Sequence, residues 1–319
     1  MGYKHLVILG AGSTIATIPN GDKYGNRAYT LNEFLKDPFF AKFLASLESE
    51  YTSRNDVEKL CAQLYVKDRR RYDEFETLIR QKYESLQLPD EFTILERLVM
   101  SLTAEDAIIS FNWDDLIVQA YNKAKEFIPM PMLPSLYFPH GNAQACYNEY
   151  RFGSSRNPDN IGMKPSPLNM PIDDLEYKND LFIKSQWNIM DWYIRYSQMI
   201  TIFGYRGPSS DEQDLKHMES LLRQNKICGK IEIIDKTKES AQEVATNLRR
   251  LVRLTECEAD CCGSFYESSI AQYPRQTLNH RFDNYNYRPT LVPMLSRLEF
   301  IKKITPIVER EQIALDRNH

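Results

Sequence analysis

No two cysteines in this 319-residue chain form a Cys-x-x-Cys pair. The six are Cys61, Cys146, Cys228, Cys257, Cys261 and Cys262, and their spacing lacks the pattern of a structural zinc site. Cys257, Cys261 and Cys262 could meet a metal only with a distant histidine. In a reducing compartment scattered thiols are the simpler reading, and no metal is expected. Long apolar runs are missing as well, and none approaches the length needed to span a bilayer. The start, Met1-Gly2-Tyr3-Lys4-His5, lacks a signal-peptide layout, and Leu6 stands where a myristoylation signal has Ser or Thr. Neither sign of charge dominates: 40 Lys and Arg face 44 Asp and Glu, a net charge of −4. That balance argues against a long nucleic-acid surface, and the basic run Lys67-Asp68-Arg69-Arg70-Arg71 reads as a solvated helix face. There is no internal repeat. These absences point to a cytoplasmic protein with no membrane or nucleic-acid partner.

What is present suits a globular protein with a substantial core, 42% apolar and 26% charged. The length allows two domains, or one domain with a large insertion. The most informative stretch is Ile108-Ile109-Ser110-Phe111-Asn112-Trp113-Asp114-Asp115-Leu116-Ile117. An apolar run of strand length turns abruptly polar. It continues with Leu116, Ile117, Ala120, Tyr121 and Ala124 at helical spacing. Asp114 and Asp115 stand where an N-cap is wanted, since a short carboxylate can accept the first unpaired amides. Asn112 then falls at the carboxyl end of a buried strand, where open α/β sheets bind ligands. It either contacts a ligand there or merely shapes the turn.

The same arrangement recurs along the chain. Leu6-Val7-Ile8-Leu9 reads as a central strand, followed by Gly10-Ala11-Gly12-Ser13, where glycines let helix-start amides approach a phosphate. A full dinucleotide fingerprint wants a third glycine where Ile15 stands. From 29 to 102 the pattern is helical. Thr30 and Glu33 have capping-box spacing, Asp56 opens a second helix, and Phe75, Leu78, Ile79 and Tyr83 line a third. Leu95, Leu98, Val99 and Leu102 follow at the same spacing. Leu136-Tyr137-Phe138 reads as a short strand ending at His140, either a structural or a catalytic histidine. Residues 143–185 show no periodicity and read as a functional loop. A helix over 186–196 leads to the strand Met199-Ile200-Thr201-Ile202-Phe203 and a second glycine-bearing loop with Gly204, Ser210 and Asp211, the last placed to cap a helix. A further strand ends in Asp235, and a helix follows over 240–251. One more helix is expected near 298–304. The predicted architecture is a doubly wound, mostly parallel Rossmann-like α/β sheet over 1–28 and 103–275. A helical module is inserted over 29–102, and a helical tail covers 276–319.

Taken in order, Gly10-Ala11-Gly12-Ser13, Phe111-Asn112-Trp113-Asp114, His140-Gly141 and Phe203-Gly204-Tyr205 with Ser210-Asp211 resemble the SIR2 (sirtuin) superfamily. The match spans roughly residues 5–240 and is to the SIR2-like NAD-hydrolysing branch of bacterial anti-phage defence. The resemblance implies that the first loop binds the dinucleotide phosphates and that Asn112 and His140 are catalytic. Asp114 either assists them or only caps a helix. Gly10, Ala11, Gly12, Ser13, Gly204, Ser210, Asp211 and Asp235 are the expected NAD-binding residues. A deacylase of this superfamily has four zinc-binding cysteines after the histidine, and here Cys146 stands alone in that region. The Asp-Phe-Arg that follows the proline in deacylases is also missing, since Asn20, Gly21 and Asp22 follow Pro19. The resemblance therefore implies an NAD+ glycohydrolase that takes NAD as substrate, without metal. Such an enzyme needs control through assembly as a homo-oligomer, a ligand or a regulatory partner, for which 143–185 and the tail after Tyr266 are the candidate surfaces.

Two other readings compete. One is an NAD or ADP-ribose binding module without catalysis. The other is a flavin or nicotinamide oxidoreductase on the first glycine loop, which the missing third glycine disfavours. So does the absence of an acidic residue ending a second strand about twenty residues on.

Overall fold

A computed structural model describes residues 4–30, 33–47, 51, 53, 56–148, 153–155, 163–170, 180–248, 251, 259–278 and 291–316. Six strands form one sheet: β1 (His5–Leu9), β2 (Ala107–Ser110), β3 (Ser135–Tyr137), β7 (Met199–Phe203), β8 (Lys230–Ile234) and β9 (Ala259–Cys262). Their order is β3-β2-β1-β7-β8-β9 and every pairing is parallel. The sequence winds outward from β1 to β3, returns to the other side of β1 and winds outward again. The order therefore reverses between β1 and β7, and the crevice beyond the carboxyl ends of those strands is where this topology takes ligands.

Side-chain alternation explains why these runs are strands. Val7, Leu9, Ile108, Phe203 and Ile234 point to one face. They pack there with Leu95, Leu98 and Val99 of helix Ile94–Ser101, Leu116 and Ala120 of helix Leu116–Ala124, and Phe300 and Ile304 of helix Arg297–Asp316. Leu6, Ile8, Ile109, Ile200, Ile202, Ile231 and Ile233 point to the other face, against helices Leu181–Tyr196, Glu212–Leu222 and Lys238–Asn247. Both faces are covered, which is why the strands read as unbroken apolar runs. Among the described residues no helix is long and apolar enough to cross a membrane.

A third cluster joins Phe34, Phe40, Phe43, Leu60, Leu64, Phe75 and Ile79. It is built from helices Ala41–Ser46, Val57–Lys67 and Arg69–Glu84, and the indole of Trp113 packs against it. Asp56 opens the second of these helices as expected, its carboxylate accepting from the Lys59 amide. Thr30 and Glu33 form no capping box. Glu33 starts a short 3₁₀ turn, Phe34–Lys36, because Asp37-Pro38 interrupts the helix at once. The basic run is not one helix face either. Asp68 ends one helix and caps the next, accepting from the Arg71 amide.

Three further differences lie nearer the crevice. Residues 143–185 do contain regular structure: β4 (Cys146–Asn148), β5 (Gly153–Ser155) and β6 (Lys164–Pro165) form a small antiparallel sheet in the order β5-β4-β6. Strands of two or three residues are too short to show a period. The helix expected over 186–196 begins at Leu181, capped by Asp180. The final helix runs over Arg297–Asp316, with Pro306 inside it.

At the amino end of β1, His5 is buried with Nε2 2.8 Å from Thr201 Oγ1. Burial lowers its pKa to about 3. An unfolded imidazole protonates near pH 6.5, so between these values the unfolded chain holds one more proton. Stability therefore falls with falling pH through this window, by about 1.4 kcal/mol per unit. Asp106, which burial raises to about 6, acts in the opposite sense at lower pH, so comparison with His5→Gln isolates the histidine. Denaturant titrations near pH 7.5 and about pH 5 should show the stability difference moving by about 2 kcal/mol in the variant's favour at the lower pH. A difference independent of pH would show that His5 titrates normally.

Candidate active site

The crevice begins with two turns whose backbones touch. After β1 the Gly10 amide donates to Phe203 O at 3.0 Å, and the Gly12 amide donates to Gly204 O at 3.0 Å. A Cβ on Gly10 would lie 2.6 Å from Gly204 O, and one on Gly12 2.7 Å from Gly204 Cα. Gly204, at φ +65°, would place a Cβ 2.2 Å from the Ser13 amide nitrogen. The glycines are therefore required by the approach of one turn to the other. Gly12 and Ser13 do not hold their amides open for a phosphate, because they donate to Gly204 O and Gly10 O. Ala11 opens helix Ala11–Thr17 and is exposed.

Asn112 closes over this turn from the end of β2. Its side-chain amide nitrogen lies 3.0 Å from Gly10 O, 3.2 Å from Ser13 Oγ and 3.0 Å from Thr14 Oγ1. Its carbonyl oxygen takes part in none of these bonds. Thr14 donates onward to Asp114 Oδ2 at 2.7 Å. The two carboxylates expected at the N-cap divide that role. The N-cap residue is Asp115, whose side chain makes no capping bond, while Asp114 Oδ1 accepts from the Leu116 amide two residues on. Burial raises the Asp114 pKa, and the Thr14 and Leu116 hydrogen bonds oppose that shift.

His140 follows β3 in a loop held from several sides. Its carbonyl accepts from the Asn169 amide at 2.9 Å. Arg80, on helix Arg69–Glu84, donates to Ala143 O and Ser166 O at 2.9 Å each. Gly141 sits at φ +75°, and Pro167 O occupies the place a side chain would take. The His140 ring stands edge-on to Phe111, with centroids 4.5 Å apart, and its Nε2 lies 3.0 Å from Asp214 Oδ2. Asp214 belongs to helix Glu212–Leu222. Asp211, the N-cap residue of that helix, makes no capping bond. Its carboxylate instead accepts from the Tyr205 hydroxyl at 2.8 Å and from Ser210 Oγ at 3.3 Å. Tyr205 stacks on Phe111, with centroids 4.9 Å apart. Burial raises the pKa of Asp211, and burial with the adjacent Asp211 carboxylate holds the Tyr205 phenol well above its usual range.

Two linked groups result. Gly10, Gly12, Ser13, Gly204, Asn112 and Asp114 form one. His140 and Asp211, with Asp214 and Tyr205, form the other; the chain joins them, since Tyr205 follows Gly204, and Phe111, which precedes Asn112, packs on both His140 and Tyr205. Asp235 is outside both: it ends β8, next to Gly204 on the sheet edge, and pairs with Arg206 at 2.7 Å. Sequence reasoning missed Thr14 and Asp214. Asp214 carried one signal, its position three residues after Asp211 at a helix start, which places both carboxylates on one face.

Among the described residues, one group has metal-ligand character: His140, Asp211 and Asp214, with ligand atoms within 4.8 Å of one another. Each of the two carboxylates already accepts or shares a hydrogen bond from a protein group. Cys257 lies outside the described residues, and burial pushes the Cys262 thiol up to about 12. A hollow of about 430 Å³ does exist at the far edge of the sheet, lined by Glu232, Lys238, Asp260 and Cys261 among others, but none of the crevice residues borders it.

No family model matches the chain, and no curated protein matches it. Among solved structures it is similar to a Sir2 homologue in complex with ADP-ribose, at 12% identity and TM-score 0.42, covering 90% of this chain and 94% of that one. A second Sir2 homologue–ADP-ribose complex is 13% identical with TM-score 0.38, over 80% of this chain and 95% of the other. A structure bearing on the mechanism and regulation of Sir2 enzymes is 11% identical with TM-score 0.34, over 79% and 93%.

The turn contact can be tested with two glycines that share a positive φ. Gly25, at φ +83°, has nothing within 4 Å of an added Cβ, whereas Gly204 meets backbone. Gly25→Ala should cost only backbone strain, about 1–3 kcal/mol, and Gly204→Ala clearly more. Equal losses of thermal stability would show that the two turns do not constrain each other.

Proposed function

We propose that this protein is an NAD+ glycohydrolase. The observation that supports it most directly is the placement of Asn112 and His140 at the carboxyl ends of β2 and β3, on the strand edge that borders the β1/β7 reversal. The bond to be broken joins C1′ of a ribose to a pyridinium nitrogen. That leaving group is already cationic, so it departs without a general acid, and the paired carboxylates of ordinary glycosidases are unnecessary. Water forms the new C1′–O bond, and the electron pair of the broken bond neutralises the pyridinium as nicotinamide. The proton lost by water passes to a base and then to solvent. The products are nicotinamide, ADP-ribose and a proton.

The residues divide this work. The Asn112 amide nitrogen is held by the first turn, so its carbonyl oxygen is the part that accepts from a ribose hydroxyl or the attacking water. His140 is the base. Asp114 bonds to Thr14, and its charge favours the positive character that develops on the ribose. Gly10, Ala11, Gly12, Ser13 and Gly204 shape the floor on which the dinucleotide lies, bordered by Ser210 and Asp211. Asp235 accepts from a ribose hydroxyl beside Arg206. The motif resemblance supports a role as an effector of bacterial anti-phage defence, acting in the cytoplasm and controlled by self-assembly or by a partner protein.

One observation favours a second reading, a module that binds NAD or ADP-ribose without cleaving it. Every donor contact of the Asn112 side chain is to the protein itself, as a purely structural clamp would require.

Purified protein incubated with NAD+ at low and high protein concentration should release nicotinamide and ADP-ribose in equal amounts. Stoichiometric NAD+ binding with no product at any concentration would establish the module instead. Asn112→Ala should abolish release and lower stability by about 1–2 kcal/mol, since the amide also holds the first turn. Wild-type turnover by the folded variant would remove Asn112 from the catalytic machinery.

A further inference from the structure

We propose that Asp214 is the positioning residue for His140, and that the ring nitrogen that takes the proton is Nδ1. This rests on His140 serving as the base in the reading above. Nε2 is 3.0 Å from Asp214 Oδ2, and both side chains are more than nine-tenths buried. Phe111 stands edge-on to the ring at 4.5 Å, and Trp187 lies beside it at 6.4 Å, so the imidazole cannot turn away from the carboxylate without displacing an aromatic neighbour. Nδ1 bonds to no described residue. Nor is it among the polar atoms sealed in the core without a partner.

These contacts select a tautomer. A carboxylate accepts but cannot donate, so the neutral ring places its hydrogen on Nε2 and its basic lone pair on Nδ1. As the water oxygen bonds to C1′ and the C1′–N pair leaves with nicotinamide, the water proton moves to Nδ1. The imidazolium so formed is held against the Asp214 carboxylate until Nδ1 returns the proton to solvent. The geometry reproduces the logic of the serine-protease dyad, in which a buried aspartate sets the tautomer and orientation of a histidine base. Asp211 is the second acid facing the ring, and Tyr205 and Ser210 donate to it. Asp214 is thereby the carboxylate whose oxygen meets the imidazole directly. His217 faces Trp187 from the same helix as Asp214 and is itself paired with Asp191.

The test separates this inference from the activity it rests on. With histidine labelled at both ring nitrogens, the ¹⁵N spectrum of the full-length protein, assigned by the signal lost in His140→Gln, should show His140 protonated at Nε2 and bare at Nδ1. That readout needs no turnover, so it holds or fails whether or not NAD+ is hydrolysed. In the active protein Asp214→Asn should lower kcat by about 10²–10⁴-fold with KM for NAD+ little changed. Its His140 signals should shift toward the other tautomer, and its melting temperature should stay within a few degrees of wild type. A wild-type His140 protonated at Nδ1 overturns the proposal even if Asp214→Asn fails to fold. So does unchanged kcat in a folded Asp214→Asn. Titration with Mn²⁺ or Zn²⁺ that shows one ion per chain, lost in Asp214→Asn, would overturn it in favour of a metal centre.

Discussion

Where the strand order reverses between β1 and β7, two turns approach until their backbones are in contact, and the neighbouring side chains are arranged around that approach. The Gly10–Ser13 turn leans on Gly204, so neither turn can shift alone. Asn112 fastens the first turn from the side, and Thr14 carries the connection to Asp114 at the start of the next helix. Tyr205, immediately after Gly204, stacks on Phe111, which in turn supports the His140 ring. Displacing one glycine would therefore disturb groups from four different strands. A carboxyl edge built this way holds its side chains through contacts of the protein itself, as positioned chemistry requires.

Much of this was legible in the sequence because the signals were local. The apolar runs at β1, β2 and β7 are buried on both faces, and each gives way at once to a polar or glycine-bearing turn. The doubly wound order follows from alternating strands and helices, and the structure has it. The unread parts share a physical cause. The small β5-β4-β6 sheet has strands too short to show a period. β9 reads Ala-Asp-Cys-Cys, with no apolar alternation, and is recruited to the sheet edge by pairing with β8. The helix starts fell where the sequence placed them, at Asp115 and Asp211, but the carboxylates there found partners other than the expected capping amides. Asp211 turned to Tyr205, and Asp114 bonded to Thr14 as well as to the Leu116 amide. Asp214 shared a helix face with Asp211, but its pairing with His140 was not legible because the two lie 74 residues apart in the chain.

Three buried carboxylates, Asp114, Asp211 and Asp214, crowd the crevice, and none is there as a simple helix cap. Burial favours the neutral forms of Asp114 and Asp211. Thr14 and the Leu116 amide favour the ionised form of Asp114, and Tyr205 and His140 do the same for Asp211. The charge of Asp114 and Asp211 is thus set by burial on one side and by a few neighbouring polar groups on the other.

The tryptophans lend the molecule a property of another kind. The chain has three. Trp113, beside Asn112, meets Tyr83 and Phe34 of the third apolar cluster, with centroids 5.7 and 6.4 Å apart. Trp187 meets Phe111, His140 and His217. Trp192 lies partly exposed at the opposite end of the sheet, next to Lys4. Two of the three indoles therefore border the crevice, one beside Asn112 and one beside His140. Their emission reports locally on that region without any added label, and the exposed third supplies an internal reference from the far end.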